Sequence, residues 1–363
     1  MSHSFVGLNV QTPGPWAIAI TGLLLAACTS SASPGTSATA PPAASVVPSA
    51  PQVRLSVSNA MIGAPDSQAF LLFKLQGDAR LRGISWDGAT NGLFTTSGTF
   101  GLWSGQSPDG RYVILDGKLY DRHGQALAAL PWPGKGEAPA WSSDGTLMCN
   151  AVPAASSSGS PMRLQTASPG KAARTVASGF TVYSDNASYP VLACDPIHDR
   201  AVVAFNPQGV APAHLWVFRL STGAITQSLD TGGWATVSTD ASMLALSSAS
   251  ATGTWRTVVQ RIDDGGVLTT IDDFAGHGFS ADGSLLVGTS GPRTTVLLNW
   301  RTGRRLWQSS GGPYGGYRAE PNGQHMAIGL GIVGGSDQAD VYIVASDGSS
   351  VLLPEQVQAA LEY

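Results

Sequence analysis

At 363 residues, 43% apolar and only 12% charged, the chain can bury a sizeable core as one large all-β domain or two average ones. Its formal net charge of −4 is carried without any block of like charges, so it lacks the clustered Lys and Arg that nucleic-acid binding needs to displace counterions. The 44 Gly and 23 Pro, with many Ser and Thr, point to short strands and frequent turns.

The N-terminal segment stands apart. Residues 1–52 contain no Asp, Glu, Lys or Arg, and Trp16 to Ala27 (WAIAITGLLLAA) form an apolar run of 12. That is too short to span about 30 Å of hydrocarbon and reads as the apolar core of a signal peptide. The run ends in Leu25-Ala26-Ala27-Cys28, which resembles the bacterial lipoprotein lipobox. The resemblance implies a signal peptide over 1–27, cleavage before Cys28 and diacylglyceryl attachment to its sulfur. Residues 1–15 depart from the pattern in holding no Lys or Arg, only His3 and the amino terminus. From Cys28 to residue 52 a Ser/Ala/Pro/Thr tether follows, too poor in large apolar groups to fold. The expected address is extracytoplasmic, lipid-anchored to the cell membrane, because two acyl chains make a stable anchor.

Beyond residue 53 one short pattern recurs: SPDGRYVIL from Ser107, SSDGTLMCN from Ser142, STDASMLAL from Ser238, SADGSLLVG from Ser280 and a looser EPNGQHMAI from Glu320. The block AVVAF after His198-Asp199-Arg200 is a degenerate member. Asp or Asn before Gly marks a tight turn, since the side chain accepts a backbone N–H and Gly takes φ > 0 freely. Each block therefore reads as strand, turn, strand. The second strand is apolar almost throughout, which predicts burial on both faces.

A second family of hairpins alternates with the first, with turn glycines at Gly77, Gly124, Gly170, Gly223, Gly266, Gly303 and Gly348. Four strands repeating at intervals of 37 to 53 residues predict an all-β fold, a β-propeller. Seven outer hairpins predict seven four-stranded blades over 53–363, with six or eight the alternatives, because residues 53–68 lack the inner turn motif. WD-repeat, TolB-like and quinoprotein propellers are built from such blades, and the SxDG turn most resembles the TolB-like group over residues 53–354. That resemblance implies a fold and no activity. Arg301-Thr-Gly-Arg-Arg-Leu-Trp307 resembles the blade-docking element of quinoproteins, but it occurs once, which argues for blade packing and against a quinone cofactor.

In such a propeller the loops entering the inner strands surround the central funnel, where ligands usually bind. This nominates Trp103, Glu137, Trp141, Trp234, His277, Tyr314, Tyr317 and Arg318. The competing reading packs Trp141 and Trp234 between blades. His123, His198, His214, His277 and His325 form neither HExxH nor a His-x-His pair, and there is no GxSxG elbow or phosphate-binding glycine loop. The turn Asp195-Pro-Ile-His198-Asp199 and the pairs Asp263-Asp264, Asp272-Asp273 and Asp337/Asp340 read as turn chemistry before cation sites. No catalytic residue, metal or cofactor is expected. Cys149 and Cys194 fall on strands of adjacent blades, and a disulfide or two buried thiols both fit. The function expected is a monomeric, non-catalytic binding module for a protein, a glycan or a cell-envelope ligand. The alternative is an extracytoplasmic hydrolase or lyase with its site in the funnel.

Overall fold

A computed structural model describes residues 51–52, 70–75, 81–89, 91–94, 105–115, 117–121, 124–132, 139–207, 214–291, 293–310, 314–321, 323–331, 340–353 and 357–359. Residues 1–50, on which the expected signal peptide, Cys28 and most of the expected tether fall, lie outside them. The strands follow the chain from blade to blade. Blade 1 begins with β1 (Phe70–Leu75), β2 (Leu81–Ser85) and β3 (Asn91–Phe94). Blade 2 holds β4 (Gly105–Gln106), β5 (Tyr112–Leu115), β6 (Lys118–Asp121) and β7 (Ala126–Ala129), and blade 3 holds β8 (Ala140–Trp141), β9 (Met148–Pro153), β10 (Pro161–Ala167) and β11 (Arg174–Val182). Blade 4 has five strands: β12 (Ala187–Ser188), β13 (Val191–Asp195), β14 (Arg200–Pro207), β15 (His214–Arg219) and β16 (Ile225–Asp230). Blade 5 comprises β17 (Trp234–Val237), β18 (Met243–Ala249), β19 (Trp255–Arg261) and β20 (Val267–Asp272). Blade 6 comprises β21 (Ala275–Phe279), β22 (Leu285–Ser290), β23 (Thr294–Asn299) and β24 (Arg304–Ser309). Blade 7 has β25 (Tyr314–Ala319), β26 (His325–Leu330), β27 (Asp340–Ala345) and β28 (Ser350–Leu352), and the last strand, β29 (Val357–Ala359), returns to blade 1.

The described strands thus make six sheets of four strands and one of five, all antiparallel. The fold is an all-β propeller. Blade 1 differs from expectation in one respect. Its order is β29-β1-β2-β3, so the position that the first strand holds in other blades is filled by the C-terminal strand, paired with β1 through Phe73, Lys74 and Leu75. The hairpin around Gly77 is therefore the middle pair of its sheet, not the outer pair that its glycine suggested. Its outer turn is Ser85-Trp86-Asp87-Gly88, where Gly88 N–H donates to the Ser85 carbonyl at 2.8 Å. Among the described residues the pair that closes this blade is β29 with β1, strands far apart in the chain. Pro51 and Gln52, assigned to the tether by composition, already bond to the end of β28, with Leu352 N–H donating to the Pro51 carbonyl at 3.0 Å.

The recurring SxDG turn has a common hydrogen-bond plan. In blade 6 the Ser280 hydroxyl donates to Asp282 at 2.6 Å and accepts the Leu285 N–H at 2.9 Å, while Asp282 accepts the Ser284 N–H at 3.0 Å. Ser107, Ser142 and Ser238 repeat it to within 0.1 Å for the serine-to-aspartate bond. The buried serine hydroxyl is thereby satisfied both as donor and as acceptor inside the turn. The fourth residue has φ near 67° at Gly283, and in STDA the same conformation is taken by Ala241 at 52°. These turns touch from blade to blade. A Cβ at Gly145 would lie 2.8 Å from Asp109, and one at Gly323 would lie 2.9 Å from Asp282, each the aspartate of the preceding blade's turn.

Second strands are buried on both faces, as their apolar runs predict: β22 and β26 are almost wholly buried. Fourth strands such as β16 and β20 alternate between exposed and half-buried. The core lies between blades. Trp307, from the TGxxxW element, is buried against Met326, Leu330 and Val344 of blade 7 and meets Tyr342 at 5.3 Å. That is the blade-packing role its single occurrence suggested.

Candidate functional site

Trp103 and Glu137 lie outside the described residues, and Tyr314 is described only as backbone at the start of β25. Trp141 takes the packing alternative. Its ring stacks on Tyr112 of blade 2, centroids 6.0 Å apart and planes 3° from parallel.

Trp234 does not. It opens β17 with 58% of its surface exposed, the more exposed because most large apolar side chains of this fold are buried between blades. Gly233 before it lets the strand begin hard against the Ser247 carbonyl, where a Cβ would collide. The indole meets His277 of β21 edge-on, centroids 6.3 Å apart at 73°. His277 is the extra residue of a bulge between Gly276 and Gly278, and bulges re-aim side chains. Its Nε2 lies 3.3 Å from the Thr289 hydroxyl. Burial pushes its pKa down to about 4, so the ring is neutral at physiological pH.

Tyr317, on β25, lays its ring over the backbone of β21, so that a Cβ at Gly278 would strike it. It is half-buried against the core between blades 6 and 7, and so packs more than it projects. Arg318 reaches from blade 7 to blade 2, donating from Nη2 to the Gln106 carbonyl at 2.8 Å. The structure thus brings Trp234, His277 and Tyr317 together on the first strands of three successive blades, and Arg318 ties that wall across to a fourth.

Asp195 and Asp264 are occupied within their own turns, and Asp263 and Asp272 face arginines on other strands. Asp195, 3% exposed, accepts N–H groups from Ile197 at 3.0 Å and His198 at 3.3 Å and meets His198 Nδ1 at 2.5 Å. Asp263 pairs with Arg200 at 2.6 Å. Asp264 pairs with Arg261 at 2.8 Å, and that guanidinium holds its carboxyl below the usual range. Asp272 faces Arg256 at 3.5 Å, Asp273 takes a left-handed φ of 52°, Asp340 begins β27 in solvent, and Asp337 lies outside the described residues. Among the described residues no three His, Cys, Asp or Glu converge to hold a metal.

Cys149 on β9 and Cys194 on β13 are joined by a disulfide between blades 3 and 4, with Cα atoms 5.6 Å apart. Beside it, among the turns, lies a cleft of about 370 Å³ that the sequence did not suggest, bordered by Lys171, Arg174, Asp199 and Ser221. Its residues come from four separate turns or strand ends, so no local pattern announces it.

No protein-family model matches the chain, and no curated protein matches it. Among solved structures it is similar to the C-terminal WD40 domain of Sif2, with a TM-score of 0.47 and 16% identity over 85% of this chain and 89% of that one. It is also similar to Kuenenia stuttgartiensis hydrazine synthase, with a TM-score of 0.53 and 10% identity over 80% of this chain and 98% of that one. At such identities the second likeness is one of fold alone, and it agrees with the sheet order: the chain folds as a β-propeller.

Proposed function

We propose that this protein is a membrane-anchored extracytoplasmic propeller that binds a protein or cell-envelope glycan against its inner-strand aromatics. The observation that carries the reading is Trp234, 58% exposed and held edge-on by His277. A tryptophan braced in water offers a rigid apolar face at little entropic cost, which suits stacking on a sugar ring or anchoring a peptide. A neutral His277 adds a hydrogen-bonding edge without charge. The lipobox-like Leu25-Ala26-Ala27-Cys28, the uncharged tether and a disulfide of the kind kept in oxidising compartments support the address.

The test uses the full chain expressed in a bacterium. Radiolabelled palmitate should enter the protein and vanish in Cys28→Ala. The purified protein is then titrated with cell-wall glycans and envelope proteins while tryptophan fluorescence is followed. Trp234→Ala should weaken any binding by about tenfold or more, the scale of an aromatic hot spot. Unchanged affinity in Trp234→Ala would remove this site from the reading.

A further inference from the structure

The outer half of blade 4 carries a hydrogen-bond chain that no local motif announces. His214 opens β15 opposite Asp230, and Trp216 lies opposite Ser228 on β16. Directly opposed residues and residues two apart share one face of a sheet, so these four side chains stand together. His214 Nδ1 is 2.6 Å from Asp230 Oδ1, and His214 Nε2 is 2.8 Å from the Ser228 hydroxyl. The imidazole rests on Trp216, ring centroids 4.6 Å apart. With the carboxylate on Nδ1, that nitrogen carries the proton, and the Nε2 lone pair faces the serine.

We propose that Ser228, His214 and Asp230 form a nucleophile, base and orienting group that cleaves carboxylic esters of apolar acids. Ser228 Oγ attacks the ester carbonyl carbon as its proton passes to His214 Nε2. The C–O bond to the leaving alcohol then breaks, and that alcohol takes the proton from His214. Water, deprotonated by the same nitrogen, attacks the acyl-serine, releasing the acid and restoring the Ser228 hydroxyl. Both hydrogen-bond distances lie within the reach such transfers need. Among the described residues β16 is the outermost strand of its sheet, so alternate backbone N–H groups along it point away from β15, and these are the donors assigned to the oxyanion.

The surroundings select the substrate. Trp216 is bordered by Phe180 of β11 at 5.2 Å, and the same strand ends in Val182 with 59% of its surface exposed. Trp216 is itself buried, so the half-buried Phe180 and the exposed Val182 supply the apolar edge between blades 3 and 4 that suits an alkyl or aryl acyl group. Asp230 is 82% exposed, so water screens its hold on the imidazolium. Activated esters with good leaving groups are therefore within reach of this set, and amides are not.

The full chain is tested with p-nitrophenyl butyrate and with a fluorophosphonate probe. We expect p-nitrophenol release above the rate in buffer, followed across pH, and a phosphonyl adduct located on Ser228 by mass spectrometry. Ser228→Ala should abolish the adduct, and His214→Gln should slow both reactions by about 100-fold or more. Asp230→Asn should slow turnover less and displace the pH profile. Thermal melting of each variant separates loss of chemistry from loss of fold. Absence of the adduct in the unaltered chain, or equal hydrolysis by a folded Ser228→Ala, would overturn the assignment.

Discussion

Blades 4 and 6 solve one problem in two ways. Each must fix the turn leading into its buried second-position strand, β14 in blade 4 and β22 in blade 6, and tie it to a neighbour. Blade 6 does so with the repeated motif: Ser280 and Asp282 satisfy the turn internally, and Trp300 donates to the Gly283 carbonyl at 2.8 Å to cap it. Blade 4 has no serine there. Its turn is built on Asp195 and His198, Arg200 reaches out to the Ala241 carbonyl at 3.3 Å, and Cys194 is bonded to Cys149 of blade 3. The motif is thus a means of satisfying buried polar groups, replaceable wherever other bonds do so. Its absence also marks where the molecule has departed from its own repeat, since the cleft and the Ser228–His214–Asp230 chain both lie where blade 4 adjoins blade 3.

The largest effect is expected at the disulfide between blades 3 and 4. Cys149→Ser with Cys194→Ser should cost about 3–4 kcal/mol by the chain-entropy model, for a bond joining residues 45 apart, read as a lower urea midpoint with a slope that rises as the unfolded chain expands. A smaller loss would mean that the Asp195 turn and Arg200 hold blade 4 unaided.

The next effect belongs to His277, beside blade 6. Its pKa falls from an ordinary 6.5 to about 4 through burial. Between those values the unfolded chain binds a proton that the folded chain refuses. Its contribution is therefore fully present above pH 6.5 and is lost as pH falls toward about 4, amounting to about 3 kcal/mol. His277→Gln should flatten unfolding free energy across that window. A slope unchanged by the substitution would place the titration elsewhere.

The smallest change sharpens the contrast within the motif. Ser280→Ala leaves the buried Leu285 N–H without its side-chain acceptor and removes the donor to Asp282, at about 1–2 kcal/mol. Burial would raise the Asp282 carboxyl, yet the bonds from Ser280 and Ser284 hold it below the usual range. Stability from that aspartate is present above its unfolded pKa and lost as pH falls through the lower folded value. The variant should therefore lose part of the chain's acid sensitivity, measured by denaturation at pH 3 and pH 7.

Much of the fold was legible because its signals are local. The Ser–Asp–Gly turns and the apolar runs after them depend on residues within about two turns of chain, and φ > 0 at Gly283 is written in the residue itself. Trp307 announced blade packing in the same way. Blade 1 was misread because Gly77 marks a turn without saying which pair of strands it joins, and β29 finds β1 from the far end of the domain. At the site, Trp234 and His277 were legible as strand-entry aromatics, but nothing local distinguished exposed Trp234 from packed Trp141. That difference lies in what the neighbouring blade presents: Tyr112 in one case, solvent and His277 in the other.

The sequence by itself determined the repeating strand–turn–strand unit, since hydrogen bonds within a turn and two-faced burial need only neighbours in the chain. The tertiary structure alone decided how the ring closes, which aromatics stay in water and which side chains meet across strands. His214, Ser228 and Asp230 are brought to hydrogen-bonding distance by the register of one hairpin, and that register is set by the packing of a whole sheet face, not by any residue in it.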